Sequence, residues 1–453
     1  MKSVDVLAFV MAGGNGSRLK VLTRDTCKPA VSILGRYRIF DFVASNIART
    51  GITAMLIATQ FEPQSLHKHI GNGEAWGFDG TDRISEIVNP HEEVGGMRFE
   101  GTADSVRKSI YRIYRYKPEI VLVLGSDHIY SMDYGEVIKQ HKTSNADATI
   151  MTTAIPDSKA SDFGIVKIDE SLRITDFSEK PTDKKVIEDF RLTARMKERL
   201  GIRDLGLNFL ASMGNYVFYW ERLKRFLELP GEDFGKDIIP AIKENSGKLY
   251  AYIFNGYWRD VGGIQDYFDC NMDFTDGSPP IGLSDHNNIR TPWKQFPRAR
   301  VSSGSSIRNA IIGPCDIIRS RTEIKNSILG PGITVEQGCS LDQCVLLGAN
   351  ELHVGSINEG GHLVRIGENT SLSHVILDEN VCIGNNVDIG PRNGSAERRE
   401  QILQGIGLKP YRDYGNGKPE GDFYLEPDTG ILVIGKPRGA NYEEPILPDG
   451  LKC

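Results

Sequence analysis

The chain opens on an apolar run, Val6–Ala12, that reads as a strand buried on both faces, as in a parallel sheet. It stops abruptly at Gly13, Gly14, Asn15 and Gly16. Ile39–Ala48 then carries helical spacing, and Ala54–Thr59 reads as a second buried strand. Val106–Tyr116 is amphipathic, with Ile110, Ile113 and Tyr114 on one face among Arg107, Lys108, Arg112 and Arg115. Ile120–Leu124 follows as a third buried strand. Strands alternating with helices predict an α/β domain on a parallel sheet, with ligands at the carboxyl ends of the strands. Asp127, just past the third strand, is therefore expected on the same sheet edge as the glycine turn. Between about 150 and 270 the pattern is mixed. Thr149–Ala154, Ile165–Ile168 and Asn215–Tyr219 read as strands, 183–204 as a charged, solvated helix, and Ile238–Ile242 as a helix end or short strand. The turn-rich stretch Thr275–Gly282 marks a boundary.

Beyond about residue 300 short aliphatic spots alternate with Gly, Asn, Ser and charged residues. A step of 17 links Val301, Ile318 and Val335, then Ile307, Ile324 and Leu341, then Ile312, Leu329 and Leu346. The spacing of 6, 5 and 6 within each repeat is that of one inward side chain per face of a three-sided coil. After a Gly-rich interruption at 348–362 the pattern resumes at Ile366, Leu372, Leu377, Ile383 and Ile389. This predicts a parallel β-helix of hexapeptide type, an architecture that bears little chemistry itself and serves as a scaffold for oligomers. In the tail, Glu400–Leu408 is expected to be helical, Lys409–Pro427 loop-like and Asp428–Ile434 a closing strand. The expected division is a first domain over 1–275, a linker over 276–300, and a β-helix domain with a C-terminal extension over 301–453.

Composition narrows the partners. At 453 residues, 40% apolar and 25% charged, the chain has the make-up of a globular protein too long for one core. A net charge of −6 argues against nucleic acid and anionic membranes as partners. No apolar run approaches the roughly 18 residues that span a bilayer, and the short N-terminal apolar run, leading into glycines, is not expected to be a secretory signal. Seven scattered cysteines (27, 270, 315, 339, 344, 382 and 453), none in a C-x-x-C pair, read as reduced thiols of a cytoplasmic protein. Cys339 and Cys344 lack the companions of a zinc site. His67 and His69 are expected on a solvated helix face.

The chemistry gathers in a few polar motifs. Glycines after a buried strand let consecutive backbone N–H groups close around an anion, and Arg18 and Lys28 set two positive charges beside them. This reads as a phosphate-wrapping loop, with an ordinary strand-to-helix turn as the alternative. Asp127, after a strand, and Asp260, within Tyr257–Gly262, are carboxylates from distant segments. They could share a Mg²⁺, which prefers oxygen ligands, or each could cap a helix; local sequence leaves both open. Glu179-Lys180-Pro181 offers a charge for a second phosphate or is a surface turn, and Asp233–Asp237 is a binding loop or a turn.

The opening G-G-x-G-x-R-L and the later Lys28-Pro-Ala30 resemble the sugar-nucleotide pyrophosphorylases. Further motifs resemble one branch, the bacterial glucose-1-phosphate adenylyltransferases. They are Gly101-Thr-Ala-Asp-Ser-Val106, Asp127-His-Ile-Tyr130, Phe163-Gly164, Glu179-Lys180-Pro181, Leu210-Ala-Ser-Met-Gly214, Asp233-Phe-Gly-Lys-Asp237 and Tyr257-Trp-Arg-Asp-Val-Gly262. The resemblance covers about residues 4–390. It implies a Rossmann-like α/β nucleotidyltransferase domain with a mixed, mainly parallel sheet, then a left-handed parallel β-helix of hexapeptide repeats. It also implies the reaction of ATP and α-D-glucose 1-phosphate to ADP-glucose and pyrophosphate, the committed step of bacterial glycogen synthesis.

Carried over by position, the resemblance gives Ala12, Gly13, Gly14, Gly16, Gln60, Gly101 and Thr102 to ATP, with Arg18 on the triphosphate and Lys28 near the reacting phosphates. Asp127 and Asp260 would hold Mg²⁺. Lys180 would grip the sugar phosphate, and Gly164, Glu179, Ser212, Tyr216, Asp233 and Trp258 would line the glucose side. Arg36 and Arg38 stand where such enzymes carry basic effector-binding residues, which implies sugar-phosphate and AMP effectors; a homotetramer is implied as well. The match departs at Asn89–Val94, where family members commonly have Pro-x-Gln-Gln, and at Phe99, where Tyr is frequent. The 409–427 loop and the tail after Lys436 lack a counterpart. Alternative readings are a pyrophosphorylase for another nucleotide or sugar, a non-catalytic nucleotide-sensing subunit, and a hexapeptide acyltransferase using His362 or His374.

Overall fold

The computed structural model describes residues 4–90, 98–204, 206–283, 289–292, 296–349, 364–413, 419–436 and 445–453; His362 and most of the 348–362 interruption lie outside them. The chain forms two compact units, one of Met1–Gly14, Phe40–Trp258 and Leu283–Arg290, the other of Asn15–Ile39, Arg259–Gly282 and Thr291–Cys453.

The first unit is built on a mixed sheet in the order Ile174–Glu179, Gly164–Ile168, Leu207–Tyr219, Ile120–Gly125, Val6–Ala12, Ala54–Thr59, Ile84–Val88. Val6–Ala12 runs parallel to both neighbours, with Leu7 opposite Ala54 and Val121. A strand covered on both faces cannot alternate with polar residues, and Leu7, Ala8, Phe9 and Val10 are all fully buried. Beyond Ile120–Gly125 the sheet becomes mixed: Leu207–Tyr219 pairs antiparallel with Ile120–Gly125, Gly164–Ile168 and Ala148–Pro156, and Leu249–Phe254 runs parallel to Ala148–Pro156. That long strand slips register between Ser212 and Tyr216, partners of Thr152 and Ile150, around Gly214 with φ 68°.

Three expectations need correction in this unit. The amphipathic stretch is two helices, Thr102–Lys108 and Ile110–Tyr116, broken where the Ser109 hydroxyl donates to the Ser105 carbonyl at 2.6 Å. Ile113 faces the core as expected, but Tyr114, the next residue of the same helix, is 57% exposed. The single helix over 183–204 is likewise two, Lys184–Asp189 and Ala194–Arg199, each started by its own cap, Asp183 and Thr193. His67 and His69 are not on a solvated face. His67 Nε2 lies 2.9 Å from Thr59 Oγ1 and His69 Nε2 lies 2.5 Å from the buried Asp41 carboxylate.

The second unit contains the parallel β-helix. Its registers pair Val301 with Ile318, Ile318 with Val335 and Val335 with Ile366 on one face. On the next they pair Ile307 with Ile324, Ile324 with Leu341 and Leu341 with Leu372. These are the columns that the 17-residue step predicts. The corners recur as well: Asn309, Asn326, Gln343 and His374 take φ of 50°, 44°, 54° and 56°, and Gly304, Arg321, Gly338, Asn369 and Asn386 form a second left-handed row. Asparagine tolerates that conformation, and Asn309 Nδ2 donates to Asn326 Oδ1 at 3.3 Å in the coil above. Leu432–Ile434 extends the stack, parallel to Ser371–Leu377, and Phe423–Leu425 pairs antiparallel with it. Helix Ala396–Gly405 begins before the expected tail helix and ends three residues short of Leu408, and the strand Phe423–Leu425 falls within the stretch expected as a loop.

The same unit holds a short hairpin, Ser32–Ile33 with Tyr37–Arg38, and helix Ile264–Met272. The Tyr267 hydroxyl donates to Ser32 O at 2.6 Å, and Leu34 N donates to Asn271 Oδ1 at 3.0 Å. All seven cysteines are buried thiols. Among the described residues no helix is long and apolar enough to cross a membrane.

Candidate active site

The strand Val6–Ala12 delivers the glycine turn. Gly13 lies against Gln60, where a Cβ would sit 3.3 Å from the Gln60 Cβ, whereas a Cβ on Gly14 would meet nothing within 4 Å. The Gln60 amide is engaged on Phe99: its Nε2 donates to Phe99 O at 3.1 Å, and its Oε1 accepts from Phe99 N. Past the turn, in the second unit, Gly16 has φ +65° and a Cβ there would stand 2.8 Å from the Lys28 Cβ. Glycine is required on both counts. The Thr23 hydroxyl closes the turn by donating to Gly16 O at 2.9 Å.

Lys28 opens the 3₁₀ turn Lys28–Ala30, and its buried ammonium lies 3.6 Å from Asp260 Oδ1. Arg18 belongs to the same group, since a Cβ on Gly262 would be 3.2 Å from Asp260 Oδ2 and 3.5 Å from Arg18 Nη1. Asp266 Oδ2 lies 3.2 Å from the same position, so two cations and two carboxylates converge around an unsubstituted backbone. An ammonium withdrawn from water needs an opposite charge close by, and here that charge is Asp260.

Within the first unit Asp127 sits where strand Ile120–Gly125 ends, its carboxylate 3.3 Å from His128 Nε2. The His128 ring packs 5.1 Å from Trp258, which also meets Phe163 edge-on at 5.2 Å. The strand end is fixed from below. Ser126 Oγ donates to Met11 O at 2.7 Å, and Gly125 N donates to Asn215 Oδ1 at 2.8 Å. Asn215 is fully buried and also donates to the Tyr130 hydroxyl at 3.1 Å. Sequence reasoning missed Ser126 and Asn215 as positioning residues; only Asn215, a polar residue inside an apolar strand, left a signal.

The residues expected around glucose form a second cluster. A Cβ on Gly164 would overlap Glu179 Oε2, and one on Gly235 would stand 2.7 Å from the same oxygen. Two glycines therefore cradle the Glu179 carboxylate. Burial pushes its pKa up, the adjacent Lys180 opposes the shift, and Asp233 adds to it. The Tyr216 hydroxyl is buried and harder to ionise through desolvation and the Glu179 charge, and it bonds Ser212. The Tyr216 ring packs at a tilt against Phe234, with centroids 5.4 Å apart. Lys180 is exposed, with φ 45°, and its N–H donates to Phe163 O at 3.1 Å.

Asp233 and Thr102 meet directly. Asp233 Oδ2 accepts from Thr102 Oγ1 at 3.0 Å, and Oδ1 caps the Phe234–Ile238 turn by accepting from Gly235 N at 2.9 Å. Gly101 lies where a Cβ would overlap the Glu232 carbonyl, which accepts Ala103 N at 2.7 Å. The structure thus joins Gly101, Thr102 and Asp233 into one brace.

The effector candidates lie in the other unit. Arg38 donates to Glu379 Oε1 at 2.6 Å and to Ala30 O at 2.9 Å, and the exposed Arg36 lies 4.9 Å over the Tyr37 ring.

Known proteins resemble this chain along most of its length. A family model described as nucleotidyl transferase matches residues 7–277, and one described as the GLGC left-handed parallel beta-helix domain matches 294–406. A glucose-1-phosphate adenylyltransferase of Acetivibrio thermocellus is 35% identical over 460 residues, covering 99% of this chain and 92% of that protein. One of Clostridium acetobutylicum is 38% identical over 343 residues, 74% of this chain and 84% of the relative. One of Bacillus cytotoxicus is 33% identical over 397 residues, 82% and 97% respectively.

Proposed function

Because the chain belongs to the glucose-1-phosphate adenylyltransferase family of nucleotidyltransferases, we propose that it transfers the adenylyl group of ATP to α-D-glucose 1-phosphate, releasing pyrophosphate. The observation that carries the reading is the retention of the whole charged set, Arg18, Lys28, Asp127, Lys180 and Asp260. A non-catalytic subunit would have no need of it.

The nucleophile is a phosphate oxygen already ionised at neutral pH, so no general base is called for. The barrier is the approach of two polyanions and the charge that grows on pyrophosphate. In this reading the backbone N–H groups of the Gly13–Gly16 turn receive phosphate oxygens, Arg18 holds the triphosphate, and Lys28 neutralises charge at the reacting end. Lys180 draws in the sugar phosphate, while Glu179, braced by Gly164 and Gly235, accepts from sugar hydroxyls. Ser212, Tyr216, Asp233 and Trp258 complete that side.

The donor set suits a divalent cation. Asp127 and Asp260 offer hard carboxylate oxygens, with side chains 38% and 19% exposed. We assign them to Mg²⁺, which would screen the phosphates and the leaving group. The reading further takes the protein to be a cytoplasmic homotetramer, with sugar phosphates and AMP acting at Arg36 and Arg38.

A panel of four nucleotides against several sugar 1-phosphates, read as pyrophosphate release, tests the reaction. ATP with glucose 1-phosphate should dominate and should depend on Mg²⁺. Preference for another pair, or release that persists in Asp127→Asn and Asp260→Asn with intact folding, would sink the assignment.

A further inference from the structure

The C-terminal extension packs on the segment that carries Arg18 and Lys28, all within the second unit. Its anchor is the β-helix. Leu432–Ile434 is hydrogen-bonded in parallel to Ser371–Leu377, Phe423–Leu425 pairs back onto it, and Phe423, Leu432 and Ile434 are buried. Its other side faces residues 20–26.

Several contacts join the two. The Lys20 ammonium lies 5.7 Å from the Tyr411 ring centre and 5.1 Å from that of Tyr424, and the two rings meet edge-on at 6.4 Å. Arg24, 1% exposed, donates from Nη1 to Gly421 O and from Nη2 to Lys436 O, each at 2.6 Å. Lys436 Nζ donates to Thr26 Oγ1 at 2.9 Å. A Cβ on Gly435 would be 3.0 Å from the Val21 Cβ, so the strand passes as close as side chains allow.

The backbone shows what these contacts do. Lys20 has φ 55° and ψ −125°, a conformation that breaks the Ser17–Thr23 turn and that a residue with a Cβ avoids. Such geometry persists only where the surroundings over-determine it. Here an aromatic pair holds the ammonium on one side of the break and the Arg24 fork pins the chain on the other. Arg18 lies two residues before Lys20, and Lys28 four residues after Arg24.

We propose that the extension is a positioning strap for the phosphate-binding cations, with Lys20, Arg24, Tyr411 and Tyr424 as positioning residues that set where Arg18 and Lys28 stand. The inference rests on the adenylyltransferase reading for its kinetic consequence, though not for its structural one. A phosphate-binding segment sprung into a strained turn from outside makes ATP affinity depend on the far end of the chain. Sequence alone assigns that stretch no role.

The test uses the full chain with Lys20→Met, Lys20→Arg and the double variant Tyr411→Leu/Tyr424→Leu, with steady-state kinetics and hydrogen exchange over residues 15–30. Lys20→Met and the double variant should raise KM for ATP about tenfold, the scale of a desolvated cation–π contact. Their kcat and KM for glucose 1-phosphate should move less than about twofold, and exchange over 15–30 should quicken. Lys20→Arg, which keeps the cation, should restore both readouts. Unchanged exchange in Lys20→Met and the double variant overturns the strap whatever the activity. Faster exchange with unaltered KM for ATP overturns its positioning role. If the wild type fails to use ATP and glucose 1-phosphate, the reaction assignment falls, and exchange alone decides whether the strap holds the segment.

Discussion

The ammonium of Lys28 stands 3.6 Å from the Asp260 carboxylate, with the two side chains 7% and 19% exposed. The pair joins a residue of the glycine-turn segment to one almost at the other end of the first sequence domain. Neither charge is fully hydrated, so each depends on the other.

Lys28→Met should therefore cost about 2 kcal/mol of stability and slow adenylyl transfer at least about a hundredfold, the loss expected when a cation facing developing phosphate charge is removed. Lys28→Met/Asp260→Asn should recover part of the stability and none of the activity. Urea denaturation beside pyrophosphate release, run as a double-mutant cycle, measures both. A double-variant loss equal to the sum of the two single-variant losses would show that the two charges do not support one another.

Gly235→Ala should raise KM for glucose 1-phosphate roughly tenfold by displacing the Glu179 carboxylate, whose oxygen lies 2.7 Å from the new methyl position. The KM for ATP should change little. Initial rates with each substrate varied separately check this; a change confined to ATP would place Glu179 on the wrong substrate.

Asp378 ties stability to pH. Burial pushes its carboxyl up to about 6, Glu379 adds to the shift, and Lys436 opposes it. Arg38 lies on Glu379, and the buried Tyr267 hydroxyl feels the Asp378 charge. Because the folded pKa is raised, the folded chain keeps a proton that the unfolded chain gives up at about 3.9. This group's contribution to stability is therefore greatest below that value and is lost as pH rises to about 6. Asp378→Asn should flatten the slope of unfolding free energy between roughly pH 4 and 6. Parallel slopes for the variant and the wild type would discount the shift.

Val301 and Ile318 hold equivalent places in the repeat yet should respond differently to truncation. Ile318 is fully buried and Val301 is 52% exposed on the first coil. Ile318→Ala should cost about 2–4 kcal/mol, and Val301→Ala less than about 0.5 kcal/mol. Chemical denaturation of both variants decides; equal losses would mean that the first coil is covered in solution.

Much of the architecture was legible without coordinates, for identifiable reasons. A strand buried on both faces has to be continuously apolar, so Val6–Ala12 and Ile120–Leu124 announced themselves. A coil that stacks on itself needs the same side-chain type at every turn, so the 17-residue columns appeared directly in the register. Motif chemistry depends on residue type, which is why Lys28, Asp127, Glu179 and Asp260 could be singled out.

The amino-acid sequence by itself determined the order of elements, the inventory of charges and the period of the β-helix, because these follow from local pattern and composition. Tertiary structure alone decided which charges meet and what they cost. It set Lys28 against Asp260, gave Glu179 its cradle of Gly164 and Gly235, left Tyr114 exposed beside the buried Ile113, and laid Tyr411 and Tyr424 on Lys20. Each depends on which segments of the chain pack together. Such contacts are fixed by how whole elements bury their surfaces together, and no short window of sequence contains that information.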